Sequence, residues 1–292
     1  MNRSQLNLLA CLATLTVLTA ACVYRSSRNS EPSKPTANTA KYEETKTPRA
    51  NKADENKKFD KGDFLVDHQQ VSDARYNEID RQIKEEKLLE KAADRLNSSL
   101  ILPYDIGLIT KDCGEVNAFY DAETNSVTVC YELMEHFYTV FRGDGLSDEK
   151  AYDKMFDAVR FAFLHEIGHA LIDTYNLPIT GNEEDAADRC SSFINLTELG
   201  EDGVNAVLAA ADAFAIESKN TTSTKRNLAD EHLLQEQRFY NSLCMIYGSN
   251  TRKYAYIIDE QYLPKERAVR CPQEYERTVD SWSSLLAPWR KE

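Results

Sequence analysis

The sequence predicts an α+β fold, mostly helical, with a small antiparallel sheet or hairpin beside one central helix. Three observations predict it. Apolar residues recur at helical spacing in several long stretches between residues 74 and 289. Two short runs with strand character, 105–110 and 126–130, stand apart from them, with the polar turn 121–125 between strand runs. Residues 71–292 number about 220, enough for one large domain with a substantial core.

The chain opens on an apolar stretch, Leu6 to Ala21, preceded by Arg3. It is too short and too rich in threonine for a good transmembrane span, and its layout predicts an export signal over residues 1–21. It ends Leu18-Thr-Ala-Ala-Cys22. Small residues running directly into Cys resemble a bacterial lipoprotein signal, with Thr19 where Leu is more usual. That resemblance implies lipidation of Cys22 and a chain anchored to a membrane surface, on the periplasmic or extracellular side. Residues 22–70 are rich in Ser, Thr, Asn, Lys, Glu and Pro and short of large apolar side chains until Phe59. They read as a disordered tether, because they bury too little to offset the entropy of ordering. Phe64-Leu-Val66 is the first segment expected to dock.

The whole chain carries −13. Setting aside +1 from Arg3 and +2 from residues 23–70 leaves −16 on residues 71–292. So acidic a domain argues against nucleic-acid binding, which needs basic surface to displace counterions.

Residues 74–99 predict one long charged helix with Ile79, Ile83, Leu88, Leu89, Ala92 and Leu96 on its apolar side. Leu102-Pro103 ends it. Cys113 and Cys130 bracket the hairpin region, and in an exported protein they form a natural disulfide pair. Cys244 and Cys271 flank a helical segment and make the second expected pair. Cys190 is left over and reads as a small buried residue. Residues 132–141 predict a short amphipathic helix closed by Arg142-Gly-Asp-Gly145.

Ser147 then caps a helix running to about Tyr175, and this helix holds the central motif, His165-Glu166-Ile167-Gly168-His169. Two histidines four residues apart share one helix face and can point at one metal ion. Neutral imidazoles at that spacing suit Zn²⁺, at about 2.0–2.1 Å. Glu166 projects beside them, where it can take a proton from a metal-activated water. Gly168 removes a side chain and lets other backbone come close. The flanks are apolar (Phe156, Val159, Phe163; Ala170, Leu171, Ile172), so the segment is buried and its polar groups need partners.

After the turn 176–181, Asn182 is a good N-cap for a second helix, with Glu183, Glu184 and Asp185 in its first turn. Two helices joined by a short loop tend to pack together, so these acids can reach the metal. Glu184 and Asp188 share one face; Glu183 and Asp185 point elsewhere and remain alternatives for the third ligand. Residues 201–216 predict a packing helix, 219–226 a polar loop, 229–244 another amphipathic helix, and Trp282 to Trp289 a final docked helix.

Several stretches resemble known zinc peptidases. Asn117-Ala118-Phe119 is similar to the edge strand of thermolysin-like metallopeptidases, which implies that an extended substrate adds to it through backbone hydrogen bonds. Glu184-x-x-Ala-Asp188 resembles the gluzincin pattern, which implies Glu184 as third ligand and Asp188 as the acceptor for a ligand imidazole. The distal His or Tyr of thermolysin-like enzymes implies an oxyanion role for His232, with Tyr240 behind it. Residues from about 101 to 289 resemble a bacterial family labelled putative metallopeptidase. The matching stretches include 113–120, 130–133, 165–173, 177–178 and 183–188. The resemblance implies a zincin-like domain holding one Zn²⁺ through His165, His169 and Glu184. Glu166 would be the general base and a peptide or protein the substrate. The alternative is a zinc-containing envelope lipoprotein acting as a binding module without turnover. Glu166 argues against it, since a purely structural site has no use for a base.

Overall fold

The computed structural model describes residues 60–220 and 231–291; the signal segment, Cys22, most of the tether and most of the 219–226 loop lie outside them. The first strand, β1 (Phe64–His68), falls inside the stretch whose composition suggests a tether. It is held by Phe64, which is buried in the core, and by the Asn97 side chain, which bonds the Phe64 backbone on both its N–H and its C=O.

The single helix expected over 74–99 is broken. A 3₁₀ turn leads into α1 (Asn77–Glu86), Lys87 takes a left-handed conformation (φ 53°), and α2 (Leu88–Ser99) follows. The amide of Lys87 closes α1 onto the carbonyls of Ile83 and Lys84. Ile79 and Ile83 of one piece and Leu89 and Ala93 of the other are buried in the same core.

Three more strands follow: β2 (Ile106–Lys111), β3 (Ala118–Asp121) and β4 (Ser126–Cys130). The sheet order is β1-β2-β4-β3, with β1, β2 and β4 mutually parallel and β3 antiparallel to β4. The hairpin turning at 121–125 is β3–β4, as expected, but the sheet as a whole is mixed rather than antiparallel, because β2 and β1 join in parallel. The turn chemistry explains the hairpin. Asp121 accepts the Glu123 N–H and the Thr124 hydroxyl, and Asn125 takes positive φ, so the chain reverses tightly between residues 121 and 126. β2 is left to join the opposite edge of β4, whose five residues are all buried. The disulfide Cys113–Cys130 ties the loop before β3 to the end of β4.

Helices cover the sheet and carry the rest of the chain. They are α3 (Tyr131–Gly143), α4 (Asp148–Thr174), α5 (Glu183–Glu198), α6 (Gly200–Asn220), α7 (Gln235–Ser249), the short α8 (Tyr256–Asp259) and α9 (Lys265–Ala268), and α10 (Cys271–Leu286). α4 is the spine. It is capped by the Ser147 hydroxyl, and it is buried almost all round from Phe161 to Ile172 because α3, α5, α6 and the sheet enclose it. Asn182 caps α5, its side-chain oxygen accepting from the amides of Glu184 (2.7 Å) and Asp185 (3.3 Å). Gly168 sets how closely α4 and α5 approach. A Cβ there would lie 3.0 Å from the Cβ of Cys190 and 3.1 Å from the Cα of Ala187.

A smaller core joins α6, α7 and α10 around Val207, Phe214, Ile246 and Ile257, stapled by the disulfide Cys244–Cys271. Cys190 is free and buried. The chain end docks as expected, with Trp282 and Trp289 buried and Trp289 stacked on Tyr175 at 4.3 Å.

The Cys244–Cys271 bridge closes a loop of 27 residues and constrains the unfolded chain accordingly. Replacing both cysteines by serine is expected to cost about 3 kcal/mol in a denaturant titration of the purified chain. A loss below 1 kcal/mol would show that the small core holds α7 to α10 unaided.

Candidate metal centre

The spacing of the histidines along α4 places both imidazoles on one face, and the cap of α5 delivers an acidic first turn opposite them. His165 Nε2 and His169 Nε2 lie 3.2 Å apart. Glu184 reaches both, with Oε2 at 3.0 Å from His165 and Oε1 at 3.4 Å from His169. One ligand atom from each of the three residues lies within 4.8 Å of the others. Two imidazoles and a carboxylate converging in a buried pocket fit a divalent metal with an open position. Glu183 Oε1 accepts from the outer nitrogen of His169 (Nδ1, 2.9 Å), and Asp185 turns to Arg189 at 3.6 Å. Of the four acids, Glu184 is therefore the one aimed between the two Nε2 atoms.

The other nitrogen of His165, Nδ1, meets Asp188 at 2.8 Å. Asp188 is in turn gripped by Arg238 of α7, whose Nε and Nη2 donate to its two oxygens at 2.8 and 2.7 Å. The guanidinium also lies over the Phe214 ring at 4.2 Å. Sequence reading missed Arg238. It lies fifty residues beyond Asp188, on a helix whose polar face gives no sign that one cation turns inward. The imidazole of His232 stands beside the cluster, with Nε2 3.0 Å from Glu184 Oε2 and its ring stacked on His165 at 6.0 Å. Tyr240 is exposed.

Glu166 is buried and takes a different partner. The backbone N–H of Tyr120 in β3 donates to its Oε2 at 3.0 Å. The geometry of the hairpin explains why that amide is available. Cys130 N–H donates to the Asn117 carbonyl, so residues 117, 119 and 121 turn their backbone groups to β4, while 118 and 120 turn theirs outward. β3 is the sheet's edge, and its outward groups face α4. Ala118 and Phe119 lie in that strand; Asn117 precedes it, with its side chain toward Glu115. Tyr120 also ties the strand to the end of α4 through its hydroxyl, which donates to Asp173 at 2.9 Å.

The electrostatics favour positive charge between the imidazoles. Burial opposes the charged form of His165, but hydrogen bonds to Asp188 and Glu184 outweigh it and push the group up to about 9. His169 moves the same way, burial being outweighed by Glu184 and Glu183. Burial works against the ionised form of Asp188 too, yet the Arg238 charge and the bonds to His165 and Arg238 hold its carboxyl well below the usual range. The histidines do the same for Glu184. Burial raises Glu166, against the pull of His165 and His169.

A profile of the family described as putative metallopeptidase matches residues 68–286, or 219 of the 292 residues. Comparisons with curated proteins and with solved structures return no match.

Two outcomes follow from these contacts. Without metal, the raised His165 stabilises the fold fully below its unfolded value of 6.5, and that contribution is lost as pH rises through about 9. Chemical denaturation with a chelator present should therefore show a midpoint falling between pH 6.5 and 9. Saturating metal, which needs neutral imidazoles, should flatten that slope. Arg238→Met strands a buried carboxylate and is expected to cost about 3 kcal/mol in the same titration; a neutral result would mean Asp188 is satisfied by His165 alone.

Proposed function

Because this chain belongs to the putative metallopeptidase family, we propose that it is a zinc-dependent, zincin-like endopeptidase of the gluzincin type. The observation that carries this reading is the convergence of His165, His169 and Glu184 beside a buried glutamate bonded to a sheet edge. His165, His169 and Glu184 would hold one Zn²⁺. Bound there, the metal supplies Lewis acidity, polarising the scissile carbonyl and making a water acidic near neutral pH.

The chain's own groups do the rest. Glu166, held by Tyr120 N–H through Oε2, keeps Oε1 to take the proton of the attacking water and to hand it to the leaving amine. Asp188 fixes His165 with Nε2 inward, and Arg238 keeps Asp188 ionised while it does so. The outward N–H and C=O of Ala118 and the C=O of Tyr120, whose N–H is taken by Glu166, would offer hydrogen bonds to an extended peptide laid along β3, with Asn117 and Phe119 flanking it. Such recognition reads main chain and suits a broad set of unfolded protein segments. His232, half exposed and next to Glu184, would donate to the oxygen that gains charge as the carbonyl is attacked. The N-terminal segment would export the chain and leave it lipid-anchored through Cys22, with the domain facing the outside of that membrane. The acidic surface leaves no role for nucleic acid.

Glu166→Gln is expected to keep about one zinc per chain, measured by elemental analysis after dialysis, while hydrolysis of an unfolded protein such as casein falls by at least a thousandfold. Zinc retained by a parent chain that never cleaves would favour the binding-module reading, and undiminished cleavage by the variant would remove Glu166 from its role.

A further inference from the structure

Behind the metal helix lies a cavity of about 910 Å³. It opens between α2, α4, α5 and α10. Its walls are apolar, among them Leu89, Leu96, Phe163, Phe193 and Leu286. It takes its side of α4 from residues 156, 159, 163, 164 and 171, the helix face opposite the two imidazoles. The cavity is therefore separate from the metal centre. Protein interiors are packed as densely as organic crystals, and an apolar void of this size is a large departure from that density. Its volume falls within the roughly 300–1,000 Å³ typical of ligand pockets.

The rim of the cavity carries the second observation. Five cations border it, Lys91, Arg95, Arg160, Arg290 and Lys291, against two acids, Asp94 and Glu198. Counting the ion-pair partners Asp157 and Asp60 as well, a small positive excess remains in a domain of −16. Arg95 is paired with Glu198 at 2.9 Å, Arg160 with Asp157 at 3.1 Å and Lys291 with Asp60 at 2.5 Å. Lys91 and Arg290 are exposed and, among the described residues, make no ion pair. An apolar cavity with unpaired positive charge among its lining residues matches one shape of molecule: a long hydrocarbon chain ending in an anion.

We propose that this cavity binds a single-chain anionic amphiphile, a long-chain carboxylate, with the chain between α2, α4, α5 and α10 and the head group at Lys91 and Arg290. Acyl chains of this kind occur both as free fatty acids and as lyso-lipids released from a membrane; the shared chemistry is the chain plus the anion. The inference stands apart from hydrolysis, since it uses none of the metal-site residues.

The test is a titration of the purified chain, stripped of lipid on a hydrophobic resin, with the fluorescent fatty acid cis-parinarate. Displacement by hexadecanoate, hexadecanol, a hexadecanoyl lysophosphatidate and hexadecyltrimethylammonium follows. The expected result is one probe per chain, displaced by hexadecanoate at least ten times better than by the alcohol or the cation. The lysophosphatidate ranks above or below hexadecanoate according to which source the mouth prefers. Ala92→Trp, which fills the slot, should abolish probe binding without changing zinc content. Lys91→Glu with Arg290→Glu, at exposed positions that leave the fold intact, should erase the preference for the anion while keeping affinity for the alcohol. No binding, equal affinity for acid and alcohol, or loss of binding on adding a chelator would each overturn the proposal, the last by moving the ligand to the metal centre. If Ala92→Trp does not fold, the charge-reversed pair decides alone.

Discussion

The buried ion pair between Arg238 and Asp188 is the interaction on which the site depends. Asp188 sits on α5, Arg238 on α7, and the imidazole that completes the chain of bonds belongs to α4. Two consecutive helices and a third some fifty residues on are thus pinned by one carboxylate with both oxygens in use. Two charges in a dry interior are costly unless every lone pair and proton is satisfied. Here the two-pronged guanidinium and His165 Nδ1 satisfy them. The consequence is rotational: with Nδ1 committed, Nε2 of His165 has one direction left to point, and it points at His169 and Glu184.

Close approach of α4 and α5 is the second requirement, and Gly168 supplies it. Without a Cβ at that position the helices pass with Ala187 and Cys190 in contact, so that Glu184, one turn before Asp188, is carried in over the imidazoles. The small residues on the facing side of α5, Ala187 and Cys190, belong to the same arrangement. Cys190 is buried without a partner cysteine because its size is what matters there.

The parts of this molecule legible in the sequence are those set by short spacing. His165, Glu166 and His169 lie within one helical turn, and Asn182 with the acids behind it announces a helix start, so their placement follows from helix geometry alone. The cysteine pairs are legible too, because few pairings fit the elements around them. Contacts made at long range are not legible. Nothing near Arg238 tells of Asp188, and nothing in the strand runs says which side of β4 will receive β2; the turn at residues 121–125 constrains only its immediate neighbours. Lys87 is the opposite case, a residue of good helix propensity that takes a left-handed conformation and ends α1. β1 likewise forms in a polar stretch because one phenylalanine and a free sheet edge outweigh composition.

The bond from Tyr120 N–H to Glu166 joins the edge strand to α4, and its donor is the main chain. A side-chain contact is lost whenever its residue drifts; this one survives nineteen of the twenty amino acids at position 120 and is deleted only by proline, which has no amide hydrogen. Fidelity at this point is therefore stored in the register of the β3–β4 hairpin. That register is set by the tight turn at residues 121–125 and by the Cys113–Cys130 bridge. A one-residue slip of β3 would turn a different amide toward Glu166 and reverse the strand's two faces together. Variation that spares the hairpin is invisible to the glutamate, while an insertion in its turn, remote from the metal, reaches it at once.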